Sequence, residues 1–111
     1  MKILLDEDVP RPLRLELPGH EISTVVAMGW ASIKNGVLIR LAVSVGFEVL
    51  LTCDRNLQYQ QNVQALGLAL VVLAVPDTKL DTVRPLVPEI LALLDAEPRP
   101  GTLSIVGSWR V

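Results

Sequence analysis

The sequence predicts an α/β protein, a three-layer α/β/α sandwich around a mostly parallel five-stranded sheet. Two observations predict it. Short apolar runs recur at residues 3–5, 47–52, 68–75 and 102–106, with a β-branched run at 20–26. Between them lie segments with helical spacing or turn chemistry, and strands alternating with helices favour parallel pairing. The chain has 111 residues, half of them hydrophobic and a fifth charged, which is enough for one packed domain spanning residues 1–111.

The first strand, Ile3-Leu4-Leu5, has no polar alternation and reads as buried on both faces. It runs directly into Asp6, Glu7 and Asp8. A short helix is expected over residues 10–17, with Asp8 as a candidate N-cap and prolines in its first turn. Pro18-Gly19 ends it. Residues 20–26 form the second strand. Lys34-Asn35-Gly36 opens an amphipathic helix in which Val37, Leu38, Leu41, Ala42 and Val45 recur at three- and four-residue steps, and Gly46 fits the C′ position. The third strand, residues 47–52, again ends in an acid, Asp54. A polar helix is expected over residues 57–66, then a wholly apolar fourth strand at 68–75. Leu80 to Leu94 carry a helical stripe interrupted by Pro85 and Pro88, so the main helix is expected to start near Arg84. A last strand at 102–106 precedes a tail over residues 107–111. Right-handed crossovers would bring every strand's carboxyl end to one edge, where open α/β sheets bind ligands. Asp6, Glu7 and Asp8 then meet Asp54 and Asn56 if strands one and three are close neighbours.

Composition narrows the function. A net charge of −2 argues against a broadly basic nucleic-acid surface, though not against a local patch such as Arg11, Arg14 and Arg55. The single cysteine, Cys53, builds neither a disulfide nor a Cys-based zinc site and fits a reducing cytoplasm. No signal-peptide pattern and no membrane-length apolar run is expected. Gly-rich phosphate loops and a Gly-x-Ser-x-Gly elbow are lacking. His20, the one histidine, falls in the Pro-Gly turn and reads as a surface residue. Trp30 and Tyr59 read first as packing residues, with base stacking as the alternative. The converging acids carry the sharper signal. Hard divalent cations take oxygen ligands, and Mg²⁺ is typically held by one or two carboxylates while keeping several waters. The plainer alternative for Asp6 and Asp54 is a turn acid or helix cap.

The stretches 4–10, Gly19-His20-Glu21, Gly29-Trp30 and 50–56, with Arg84-Pro85-Leu86-Val87-Pro88, resemble the compact stand-alone PIN-like family over nearly the whole chain. The first and fourth stretches are the specific ones. The resemblance implies an Mg²⁺- or Mn²⁺-dependent ribonuclease acting on RNA, the toxin of a toxin–antitoxin pair with a small antitoxin partner. Asp6 matches the family's leading metal-binding Asp and Glu7 the acid beside it. Asp8 adds an acid where Asn is frequent, and Thr52 and Asp54 match a Thr-x-Asp pattern. Asn35 and Asn56 stand where acids are usual, and an amide ligates without adding charge and cannot act as a base. The expectation is therefore Asp6, Asp54 and Asp8 on the metal, and Glu7 orienting a water or adding oxygen ligation. Thr52, Asn56, Asn35, Arg11 and Arg55 would lie along the substrate. A cytoplasmic protein is expected, and an exposed part of the Leu86–Leu94 stripe would serve a homodimer. A degenerate, non-cutting RNA- or protein-binding domain and a phosphoryl-accepting receiver domain are the other two classes. Against the receiver, no lysine follows the last strand.

Overall fold

A computed structural model describes residues 1–107; the expected tail beyond Gly107 lies outside the described residues. Five strands, β1 (Lys2–Leu5), β2 (Glu21–Thr24), β3 (Val49–Thr52), β4 (Ala69–Ala74) and β5 (Leu103–Gly107), form one sheet in the order β2-β1-β3-β4-β5, and every pair is parallel. β3 and β4 are buried along their whole length, as unbroken apolar runs inside a parallel sheet should be.

The period of two along each strand divides the core. Ile3, Leu5, Val49, Leu51, Val71 and Leu73 face one layer, and Leu4, Leu50, Leu70 and Val72 face the other. Helix α1 (Asn35–Ser44) covers the second face with Leu38, Ile39 and Ala42. Its end is a Schellman motif: Phe47 N–H donates to Ala42 O and Gly46 N–H to Val43 O, with Gly46 at φ +91°. The C′ role expected of Gly46 holds.

Several expectations are corrected in detail. The segment after β1 is a 3-10 helix (Arg11–Glu16) rather than an α-helix, and its cap is not Asp8, whose side chain is engaged elsewhere. Prolines 10 and 12 remove amide donors there and favour a tight turn. The polar helix expected over residues 57–66 is only α2 (Leu57–Gln60) and a 3-10 turn (Val63–Ala65), separated by extended backbone at Gln61 and Asn62. Its sequence supplies too few apolar residues to hold a longer helix on the sheet. The helical stripe starts at α3 (Leu80–Val83), passes through a 3-10 turn (Arg84–Leu86) containing Pro85, and becomes regular in α4 (Val87–Asp95), where Pro88 sits in the first turn.

The handedness also departs from expectation. Three connections share one hand: β1 to β2 steps one way across the first face, while β2 to β3 and β3 to β4 step the other way across the second. The β4-to-β5 connection steps in that second direction but crosses the first face, because Val83, Ile90 and Leu94 pack there. Its hand is therefore opposite to the others, against the usual rule. The first face explains it. Among the described residues, the rest of the cover there comes from the segment after β1, with Val9, Leu13 and Leu17, and from Val83, and without Ile90 and Leu94 of α4 much of the apolar face of β3 and β4 would lie bare. The common carboxyl edge is unaffected, because all strands remain parallel.

Among the described residues, no helix is long and apolar enough to cross a membrane.

Candidate functional site

The order 2-1-3-4-5 reverses direction between β1 and β3, and in doubly wound sheets a ligand crevice lies at such a switch point, beyond the strands' carboxyl ends. There Asp6 N–H donates to Leu51 O at 2.9 Å, which ties the end of β1 to β3. Thr52, fully buried, is the hub. Its hydroxyl donates to Asp6 Oδ2 at 2.8 Å, with Asp8 Oδ1 at 3.4 Å, and accepts from Asp54 N–H at 3.0 Å. Cys53 N–H donates to Asp8 Oδ1 at 3.0 Å. Asp6 Oδ1 also accepts Glu7 N–H, and Asp54 Oδ1 accepts Asn56 N–H at 2.9 Å. Residues about fifty positions apart thus form one network, as the expected adjacency of strands one and three requires.

Within this network the carboxylate whose charge the surroundings disfavour is Asp8. Asp8 is held above the ordinary carboxylate value, first because it is half-buried and then because Asp6 and Asp54 lie close; the Cys53 amide partly opposes this. The Cys53 thiol is pushed up to about 12 by burial and by Asp8 and Asp6. Among the described residues, no ion pair involves Asp6, Asp8 or Asp54.

Two expected residues sit elsewhere. Glu7 is exposed, and its Oε1 accepts Ser32 N–H at 2.6 Å, pinning the loop before α1, where Ser32 adopts φ +66°. Asn35 is the first residue of α1 and makes no hydrogen bond into the network. Asn56 and Arg55 line a cleft of about 450 Å³ next to Asp54, with Cys53, Gln58 and Tyr59. Arg11 lies in a different groove, between the 3-10 helix and β2.

The aromatic and histidine readings divide. Trp30 packs edge-on to Phe47, with ring centroids 6.1 Å apart, as a packing residue would. Tyr59 is 82% exposed and packs on little. His20 is not a free surface residue. Its side chain is nearly buried, with Nε2 2.9 Å from Asp95 Oδ1 and Nδ1 3.2 Å from the Met1 ammonium. The turn before β2 meets α4 and Met1 to create that site, so no local pattern could have marked it.

Among the described residues, no three His, Cys, Asp or Glu side chains are arranged to hold a metal together. Mg²⁺ is commonly held by one or two carboxylates and completed by water, so a donor set of two carboxylates is compatible in kind with such an ion. Asp6 meets the Thr52 hydroxyl through its carboxylate and Asp54 through its backbone N–H, and these two acids would be the residues to hold such an ion; Asp8 is tied back to Cys53 N–H.

No protein-family model, curated protein or solved structure matches the chain.

Proposed function

We propose that the carboxyl edge of β1 and β3 is the centre of an Mg²⁺- or Mn²⁺-dependent ribonuclease. The observation that carries the reading is the network joining Asp6, Asp8 and Asp54 through Thr52, to which no cationic side chain among the described residues is paired. Asp6 and Asp54 would hold the ion, and the chemistry it would supply is activation of water and stabilisation of charge on the phosphodiester. Thr52 fixes the carboxylate of Asp6 by its hydroxyl hydrogen bond. Asp8, held against the same edge by Cys53 N–H, would be placed to take a proton from water there. Arg55 and Asn56 contact the substrate from the cleft beside Asp54. Glu7 acts at a distance, holding the loop at Ser32. The PIN-like resemblance supports a toxin role in the cytoplasm with a small antitoxin as partner. Incubation of the purified protein with labelled RNA and Mg²⁺ or Mn²⁺ tests the reading. Cleavage that is abolished by EDTA and reduced at least about a hundredfold in Asp6→Asn supports it, and metal-independent or Asp6-independent cleavage refutes it.

Two observations favour other readings. The amides Asn35 and Asn56, standing where the resemblance expects acids, favour a domain that binds RNA or protein without cutting. The strand order is also that of receiver domains. The opposite hand of the β4-to-β5 connection counts against the latter, and acetyl phosphate with Mg²⁺ would leave Asp54 unmodified.

A further inference from the structure

β2 is an edge strand, and its outer side is open. In the parallel ladder, Glu21 N–H donates to Met1 O and Val25 N–H to Leu5 O, both at 2.9 Å, so the odd-numbered residues face β1. The groups of Ile22 and Thr24 therefore point outward. Thr24 O is taken by Met28 N–H at 3.1 Å. The N–H and C=O of Ile22 and the N–H of Thr24 have no backbone partner among the described residues. An unpaired edge of this kind is a template for an added strand.

A groove of about 660 Å³ runs along that edge, between β2 and the 3-10 helix. Its walls are aliphatic: Pro12, Leu15, Ile22 and Val26 line it, with Leu15 72% and Val26 41% exposed. Its charged side chains are Arg11 and Arg14. Neither forms an ion pair among the described residues, and Glu16, the acid of the same helix, is taken by Arg84 at 2.9 Å. Two unopposed guanidinium groups on a chain of net charge −2 select an anionic occupant. Nucleic acid would supply anions too. Stacking on bases needs aromatic faces, however, and none of the described residues lining this groove is aromatic, whereas aliphatic walls beside free strand amides suit alternate side chains of an extended peptide.

We propose that the β2 edge is a docking site for an extended peptide that alternates acidic and aliphatic residues. The peptide adds a sixth strand beside β2, sets its aliphatic side chains against Leu15, Ile22 and Val26, and presents its carboxylates to Arg11 and Arg14. The groove shares no lining residue with the cleft beside Asp54, so this site stands or falls independently of the nuclease.

The test is fluorescence anisotropy of a labelled, end-blocked peptide alternating glutamate with valine, titrated with the whole protein. Saturable binding is expected. It should weaken at least about tenfold in Arg11→Gln/Arg14→Gln, and similarly when alternate peptide nitrogens are methylated on the wild-type protein. A lysine–valine peptide should not bind. Both arginines and Leu15 are exposed, so Arg11→Gln/Arg14→Gln and Leu15→Ser keep the fold, and Leu15→Ser should weaken binding as well. No saturable binding at about 1 mM, about 4 kcal/mol of affinity, overturns the proposal. So does equal binding by the arginine variant or by the methylated peptide. Single-stranded RNA that binds through the same arginines while the peptide does not would assign the groove to nucleic acid instead.

Discussion

Asp8 and Asp77 both follow an apolar strand by a few residues, and the fold treats them in opposite ways. Asp77, beyond β4, is fully exposed and accepts Lys79 N–H at 2.9 Å. Thr82 and that amide hold it below the ordinary carboxylate value. It is a turn acid introducing α3. Asp8, beyond β1, is half-buried near two other carboxylates and is held above that value. An acid at a strand end is thus a common device of chain reversal. What distinguishes the β1–β3 edge is that two such ends are neighbours at the switch point and share one buried hydroxyl, Thr52.

The largest expected difference between the two regions is read through Cys53. With its thiol pushed up to about 12, it should react with a disulfide reagent on the order of fifty-fold more slowly at neutral pH than an ordinary exposed thiol. Saturating Mg²⁺ should accelerate it by cancelling the field of Asp6 and Asp8. A rate of ordinary size, or one indifferent to both Mg²⁺ and Asp8→Asn, would break the contrast.

Next in size is Thr52→Val. It deletes the hydroxyl that donates to Asp6 and accepts from Asp54 N–H in a fully buried position. We expect a loss of about 1–3 kcal/mol in urea unfolding. Thr78→Val, beside Asp77, should cost much less, because Thr78 is exposed.

The two acids should also give stability slopes of opposite sign. Asp8 binds its proton more tightly folded than unfolded. Stability should therefore fall as pH rises from about the unfolded value of 3.8 through the raised folded value, and Asp8→Asn should remove that fall and stabilise the metal-free protein at neutral pH. Asp77 contributes stability above 3.8 that is lost as pH falls through its lowered folded value. Its exposure makes this the smallest effect, a slight lowering of Tm at neutral pH in Asp77→Ala. Melting curves between pH 3 and 7 on both variants read the two signs.

The sequence made the strands and their acids visible because those features are local. Ile3-Leu4-Leu5 and the run 68–75 are unmistakably buried, and Gly46 marks the end of α1 by a conformational need that the observed φ of +91° meets. Tertiary choices were less visible. The face chosen by α4 depends on how little the 3-10 helix covers, and no residue in residues 87–95 encodes that. The division of Arg11 and Arg55 between two clefts follows from β2 and β3 lying on opposite sides of β1. Glu7, adjacent to two network acids in sequence, faces away because successive residues at a strand end diverge, and Ser32 claims it. His20 acquires its partners from Asp95, far along the chain.

Calorimetric titration with Mn²⁺ tests the central claim most directly, using wild type, Asp6→Asn, Asp54→Asn and Asp77→Asn, all verified as folded. Saturable binding of about one ion is expected for wild type and for Asp77→Asn, with loss of that binding in Asp6→Asn and Asp54→Asn. Absence of binding by folded wild type at about 10 mM metal, or binding that survives both Asp6→Asn and Asp54→Asn, would contradict it.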